Sequence, residues 1–173
     1  MSGWDSQFPY KGGAGSGRGR RVFDDGQIYE GEWQDGKRHG KGTYTYGNKN
    51  VYAGEWKDDM KHGQGKYTWA NGSVYEGSYK DDEKHGEGKY SYANGDVFSG
   101  QWQANKRHGV GTLTRSNFDV EVTRYEADQP VGEGAGWSAN GNAAWRLQDG
   151  REEDDDIDVE EAKAIAQGLG VEL

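Results

Sequence analysis

Tyr52-Ala53-Gly54-Glu55-Trp56, a polar stretch over residues 57–61, His62-Gly63-Gln64-Gly65-Lys66-Tyr67-Thr68-Trp69 and the closing Ala70-Asn71-Gly72-Ser73-Val74 make one phrase of 23 residues. The phrase occupies residues 29–51, 52–74, 75–97 and 98–120 without gaps. Gly40-Lys41-Gly42, Gly63-Gln64-Gly65, Gly86-Glu87-Gly88 and Gly109-Val110-Gly111 keep step, as do His39, His62, His85 and His108. A fixed period of this size marks a repeat architecture, in which recurring residues build the array.

Within the phrase, positions 52, 54 and 56 alternate with polar residues, and so do 63, 65, 67 and 69. Alternation with period two, bounded by turn residues, predicts strand, turn, strand. Asn71-Gly72 and Asn94-Gly95 are tight-turn pairs, expected to have positive φ at both central residues. Each unit is therefore a β-hairpin. Gly54, Gly63 and Gly65 are read as slots that admit a ring from the adjacent strand. The fold class is all-β: a single-layer twisted antiparallel sheet of tandem hairpins, elongated along the stack, with a short C-terminal helix. Glycine weakens isolated strands, so the hairpins should be stable only as a stack.

Composition agrees. Only 31% of the 173 residues are hydrophobic while 13% are aromatic and 30 are glycine. That is too little aliphatic material for a two-layer core, and enough for one sheet faced with rings that tolerate a wet edge. There is no cysteine, which excludes disulfides and thiolate zinc sites. No apolar run approaches the roughly 20 residues of a membrane span, and the N-terminal residues lack the regions of a signal peptide. The expectation is a cytoplasmic protein. The net charge of −9 is concentrated in residues 121–173, while the four units balance their charges. A neutral array argues against nucleic acid as a partner.

Outside the four units, residues 1–16 read as a flexible glycine-rich segment in which Trp4, Phe8 and Tyr10 stand out, the flexible stretch running over residues 11–20. Residues 17–28 read as a partial capping repeat. Residues 121–147 read as degenerate capping repeats, with Glu121 in the tyrosine slot, Thr123 for the first glycine, and Gly132-Glu133-Gly134 and Asn140-Gly141 in register. Residues 148–158 read as an acidic solvated linker. Residues 159–169 read as an amphipathic helix: Asp158 and Glu161 form a capping box, Val159, Ala162, Ile165, Ala166 and Leu169 share a face, and Gly168 and Gly170 stop it. Too short to persist alone, it should pack on the terminal hairpin near Trp137 and Trp145, or on a partner.

Tyr-x-Gly-x-Trp followed by His-Gly-x-Gly and another aromatic, at 23-residue spacing, resembles the MORN repeat (membrane occupation and recognition nexus). The resemblance is close over residues 29–120 and extends with degenerate ends over about 17–147. It implies an assembly platform of the kind found in ciliary radial spokes, other cytoskeletal structures and membrane-junction proteins. In several members the array accompanies a lipid kinase or a methyltransferase, for which this sequence has no room.

No catalytic residue, cofactor site or metal site is expected. Equivalent histidines on next-neighbour hairpins lie roughly 10 Å apart, too far to share a zinc ion that holds nitrogens at ~2.0–2.1 Å. The Gly-x-Gly pairs sit in strands and lack the lysine and hydroxyl of a phosphate loop. The carboxylates of Asp58, Asp59, Asp81 and Asp82 lie in turns and enclose no acid–base pair. Lys37, Arg38, Lys61, Lys84, Lys106 and Arg107 form a row that could face acidic phospholipid, although Asp35, Asp58, Asp59, Asp81, Asp82 and Glu83 share those turns. The principal candidate is an aromatic face for a protein partner: Tyr29, Trp33, Tyr44, Tyr46, Tyr52, Trp56, Tyr67, Trp69, Tyr75, Tyr79, Tyr90, Tyr92, Phe98 and Trp102. A single layer has no second sheet to cover that face, and its rows of rings suit a helical or extended segment. The sequence therefore reads as a non-catalytic scaffold for protein–protein interaction in a cytoskeletal assembly. The resemblance places it in the axoneme of a cilium or flagellum, and the alternative is a peripheral membrane adaptor. Specificity should lie where the phrase breaks: Met60, Arg115, the decayed final units and the acidic tail.

Overall fold

The computed structural model describes residues 15–172, without the side chains of residues 154–156. Trp4, Phe8, Tyr10 and residues 11–14 of the lead-in lie outside the described residues. The chain forms two compact units that meet between Glu83 and Lys84. The first contains β1 (Gly17–Val22), β2 (Ile28–Gln34), β3 (Lys37–Thr45), β4 (Val51–Lys57), β5 (Met60–Thr68) and β6 (Val74–Lys80). The second contains β7 (Glu83–Ser91), β8 (Val97–Gln103), β9 (Lys106–Thr114), β10 (Val120–Glu126), β11 (Gln129–Trp137), β12 (Ala144–Gln148) and β13 (Arg151–Asp156), then helix α1 (Val159–Gly168). In each unit the strands are hydrogen-bonded in chain order as one antiparallel layer.

Two kinds of turn alternate along the chain. The first is a two-residue turn with positive φ at both positions: Asp35-Gly36, Asp58-Asp59, Asp81-Asp82, Ala104-Asn105, Ala127-Asp128 and Asp149-Gly150. This is the mirror-image geometry that matches strand twist; Asp and Asn are the non-glycine residues that tolerate it best, and Ala104 and Ala127 also adopt it here. The second is a five-residue loop. In residues 69–73, Gly72 N–H donates to the Trp69 carbonyl at 3.0 Å, Trp69 N–H to the Ser73 carbonyl at 2.9 Å, and Ser73 N–H to the Asn71 side chain at 2.9 Å. Asn71-Gly72 and Asn94-Gly95 therefore mark turns as expected, but of a different type: only the glycine has positive φ, and the asparagine caps the loop.

The Gly-x-Gly pair also divides its labour. The pairing slips between Gly54 and Glu55 as it does between Gly31 and Glu32 and between Gly100 and Gln101. The first glycine, Gly63, makes this bulge possible with φ of +60°. Only the second, Gly65, is a ring slot, so the expectation of one role for both is corrected.

The degenerate end departs further. Residues 138–143 form a loop one residue longer than its counterparts, so Trp145, not residue 144, pairs with Gly136. Asn140-Gly141 keeps the register and the next residues lose it. Residues 151–156, expected as linker, form strand β13, turned back on β12 through Asp149-Gly150. Gly15 and Ser16 tie the described part of the lead-in to the first turn: Gly36 N–H donates to the Gly15 carbonyl at 3.2 Å and Asp35 N–H to Ser16 Oγ at 3.1 Å.

Candidate functional site: the aromatic face

Tyr52 and Gly65 show how the face is built. The ring of Tyr52 on β4 lies over the glycine of β5, where a Cβ would sit 2.4 Å from its hydroxyl and 2.5 Å from Cε2. The hydroxyl then donates to the Glu55 carbonyl at 2.9 Å, satisfying a polar group that burial would otherwise strand. Tyr29 repeats this over Gly42, donating to the Glu32 carbonyl at 2.9 Å, and Phe98 covers Gly111 with no hydroxyl to place. The following aromatic closes each slot. Trp56 Nε1–H donates to the Gly42 carbonyl at 3.2 Å, Trp33 to Gly19 at 3.2 Å and Trp102 to Gly88 at 3.1 Å.

These rings meet edge to face, the arrangement their quadrupoles favour. Tyr52 contacts Trp56 of its own strand at 5.1 Å and Tyr79 of the next hairpin at 5.2 Å, with planes at 89° and 83°. Tyr29 does the same with Trp33 and Trp56, and Phe98 with Trp102 and Tyr125. In these three hairpins the slot is completed by a ring from the hairpin after it. Burial pushes the phenols of Tyr29, Tyr52 and Tyr79 far above their ordinary range.

The fourteen candidate residues consequently fall into two sets. Tyr29, Trp33, Tyr44, Tyr52, Trp56, Tyr75, Tyr79, Phe98 and Trp102 are buried, and their area is spent inside the array. Tyr46, Tyr67, Trp69, Tyr90 and Tyr92 are half-buried. In the first unit Tyr46, Tyr67 and Trp69 stack in succession, at 5.7 Å and 4.5 Å between centroids. In the second, Tyr90 and Tyr92 pair at 4.5 Å. Burial raises the Tyr46 phenol to about 12, with the Tyr67 hydroxyl beside it adding to the rise.

The turn cations belong to the same face. Arg38 lies over Trp56 at 4.3 Å and Tyr44 at 5.0 Å while pairing with Asp59 at 3.0 Å. Arg107 lies over Tyr125 and Phe98 and pairs with Asp128 at 3.2 Å. Lys84 lies 4.0 Å above Trp102, and Lys61 lies among Tyr52, Tyr67 and Tyr79. Burial lowers the Lys61 ammonium pKa, with Arg38 adding to the effect and Asp82 opposing it. Lys37 and Lys106 remain exposed. Sequence reasoning placed cations and rings in separate rows, although their common 23-residue spacing was a signal that they meet.

A hydrogen-bonded clasp, unforeseen from the sequence, joins successive turns. Asp59 accepts from Arg38 N–H at 2.9 Å, Asp82 from Lys61 N–H at 2.9 Å, Asn105 from Lys84 N–H at 3.0 Å and Asp128 from Arg107 N–H at 2.8 Å. The backbone N–H of each acceptor residue returns a bond to the same partner's carbonyl. Nδ1 of His39 and of His62 is buried without a hydrogen bond; Asp81 stands 3.6 Å from His62 Nδ1, within ion-pair reach only. Among the described residues no three His, Asp or Glu side chains are gathered to hold a metal ion.

Where the phrase breaks, polar groups replace rings. Arg115, at the repeat position of Tyr46, Trp69 and Tyr92, holds Glu121 with contacts of 2.8 to 3.1 Å. Glu121 stands where a tyrosine would fill the slot. Trp145 restores a ring, lying over Gly136, where an added Cβ would sit only 2.3 Å from its indole. Phe118 takes the loop position held by Gly72 and Gly95, keeps φ of +69°, and is 72% exposed.

The MORN repeat model matches residues 29–51, 52–74, 75–97 and 98–120. The chain belongs to the MORN-repeat family. MORN repeats are non-enzymatic modules that suggest a role in protein interaction. No curated protein matches the chain closely enough to show a relationship. Among solved structures, the SAS-4 (dCPAP) TCP domain of Drosophila melanogaster, in complex with a proline-rich motif of Ana2 (dSTIL), is 15% identical at a TM-score of 0.38, covering 79% of this chain and 87% of that one. The TCP10 domain of Danio rerio CPAP is 10% identical at a TM-score of 0.23, covering 88% and 98%. Likeness at that level carries no inference about what the MORN array binds. Among the described residues no helix is long and apolar enough to cross a membrane.

The C-terminal helix packs within the second unit. Asp158 caps it by accepting from Glu161 N–H at 2.8 Å, and Ala162 and Ala166 are fully buried. It lies against β11 and β12, where Arg146 reaches Glu161 at 2.6 Å. Arg146 alternates with Trp145 and Leu147, so it points away from the ring that fills the last slot. Leu169–Val171 continue along that side and border a hollow of about 510 Å3 with Ser99, Gln101, Val110 and Arg124.

Proposed function

We propose that the array is a scaffold whose half-buried rings receive a helical or extended protein segment. The observation that carries this reading is the rings left at the surface after the slots are filled: Tyr46, Tyr67 and Trp69 in the first unit and, separately, Tyr90 and Tyr92 in the second. Tyr and Trp supply large contact area at low entropic cost and anchor most interfaces. The buried rings beneath hold them rigid, so the partner meets a preorganised surface. Within the family, an array of this kind fits a subunit of a cytoskeletal assembly, and we assign it to the axoneme of a cilium or flagellum.

A lipid-binding role is the weaker reading. Four of its six candidate cations, Arg38, Lys61, Lys84 and Arg107, already lie over aromatic rings. The test is affinity purification or proximity labelling from the source cell with the wild-type chain and with Tyr46→Ala/Trp69→Ala/Tyr92→Ala. Axonemal proteins recovered with the wild type and lost with the variant support the proposal. Recovery unaffected by the variant removes the aromatic row from it. Salt-sensitive flotation of the chain with phosphoinositide vesicles favours the lipid reading.

A further inference from the structure

The first and last strands of the sheet order carry opposite charge. β1 reads Gly-Arg-Gly-Arg-Arg-Val and β13 reads Arg-Glu-Glu-Asp-Asp-Asp. Among the described residues β1 pairs only with β2 and β13 only with β12, so each keeps one edge of unpaired backbone groups. The Arg18 side chain is 71% exposed while touching Glu32, Arg20 is exposed, Arg21 lies over Phe23, and Val22 is 54% exposed. Arg151, Glu152 and Glu153 are exposed on the other edge.

We propose that these edges are complementary, and that β13 of one copy adds to β1 of a second copy. Open edges are templates for strand addition, and charge is the common device that restrains them. Here the charge is selective. Two β1 edges repel through their arginines and two β13 edges through their carboxylates, so symmetric pairing is opposed. The heterologous pair is favoured. In the antiparallel register that sets Arg21 opposite Glu152, Arg20 falls opposite Glu153. Opposite charges directly across a strand pair stabilise it, and like charges destabilise it. The contact is head-to-tail and leaves one free edge of each kind, so association continues with concentration unless it closes into a ring. The proposal does not depend on the aromatic row.

Sedimentation velocity on the full chain tests it. The expected result is a mass above monomer that rises with concentration in about 50 mM salt and is lost in about 500 mM, where exposed charges are screened. Arg20→Glu/Arg21→Glu and Glu152→Lys/Glu153→Lys should each be monomeric alone, and mixing them should restore assembly, because each then offers an edge that fits the other. A synthetic peptide of residues 149–158 should cap β1 and lower the mass of the wild-type assembly, a readout that survives misfolding of either variant. A wild-type chain that stays monomeric at low salt overturns the proposal. So do assembly that persists in both variants and assembly that the peptide leaves unchanged.

Discussion

At the scale of single residues, the array depends on where a side chain is missing. Gly65→Ala places a methyl group against the Tyr52 ring, which its hydroxyl bond to Glu55 holds in place. Overpacking of this kind costs about 1–3 kcal/mol, and the expected outcome is a matching fall in the denaturation midpoint. Gly168→Ala is the opposite case. The added methyl meets nothing within 4 Å, the residue closes a helix, and alanine is favoured there by about 0.5–1 kcal/mol. Phe118 is the converse of both, a bulky residue in a left-handed position that glycine holds at residues 72 and 95. Phe118→Gly should raise stability by about 1 kcal/mol, read by chemical denaturation. A chain that gains stability yet loses partner recovery on this substitution would mark Phe118 as a contact whose exposure was worth its strain.

The element scale is that of the clasped hairpin. Asp82 accepts from Lys61 N–H and itself occupies φ of +71°, so Asp82→Ala removes an acceptor and leaves an alanine in a poor conformation. The expected cost is about 1–3 kcal/mol. Asp82→Asn should be nearly neutral, since Asn105 performs the same task for Lys84 at 3.0 Å in this very chain. Equal losses for the two substitutions, measured by thermal melting, would assign the effect to charge and not to the clasp. The hairpin, its glycine slot and the helix cap at Asp158 were legible because each is written in local residue types. The clasp was not, because its partners lie 21 residues apart and no pattern within one unit announces it. The one-residue slip before Trp145 and the strand within residues 151–156 were missed for a related reason: a decayed repeat no longer states its register, and six charged residues do not alternate. Asp149-Gly150, a mirror-image turn signal, was the available clue to β13. Of the candidate face, the sequence listed the rings but not which of them the slots consume, since that depends on the next hairpin's Trp56 or Tyr79 closing over Tyr29 or Tyr52.

At the scale of the whole molecule, a core made of phenols instead of aliphatic chains imposes a pH limit. Burial holds the Tyr46 hydroxyl at about 12, and those of Tyr29, Tyr52 and Tyr79 higher still, against an ordinary value of 10.0. The folded state therefore binds these protons more tightly than the unfolded state. Their contribution is fully present below about pH 10 and is lost as pH rises from there through the folded values. Lys61, lowered from 10.5, works in the other direction: its folding penalty applies while it is protonated and fades as pH rises towards 10.5. One lysine against four phenols leaves the net slope above pH 10 destabilising. Because the slots of Tyr29 and Tyr52 are closed by the neighbouring hairpin, ionisation of one ring weakens the next, and stability in a stacked array is shared between neighbours. The expected outcome of an alkaline titration is a steep fall in melting temperature above about pH 10, with tyrosinate absorbance appearing together with loss of the β-sheet signal. Phe98 supplies the internal contrast, since its slot has no proton to lose. Tyr52→Phe gives up the bond to Glu55 at neutral pH but should shift the alkaline transition upward. Ionisation of the full tyrosine complement near pH 10 with the sheet intact would mean that the slots are open to solvent, contrary to the packing of Tyr29 and Tyr52 described above.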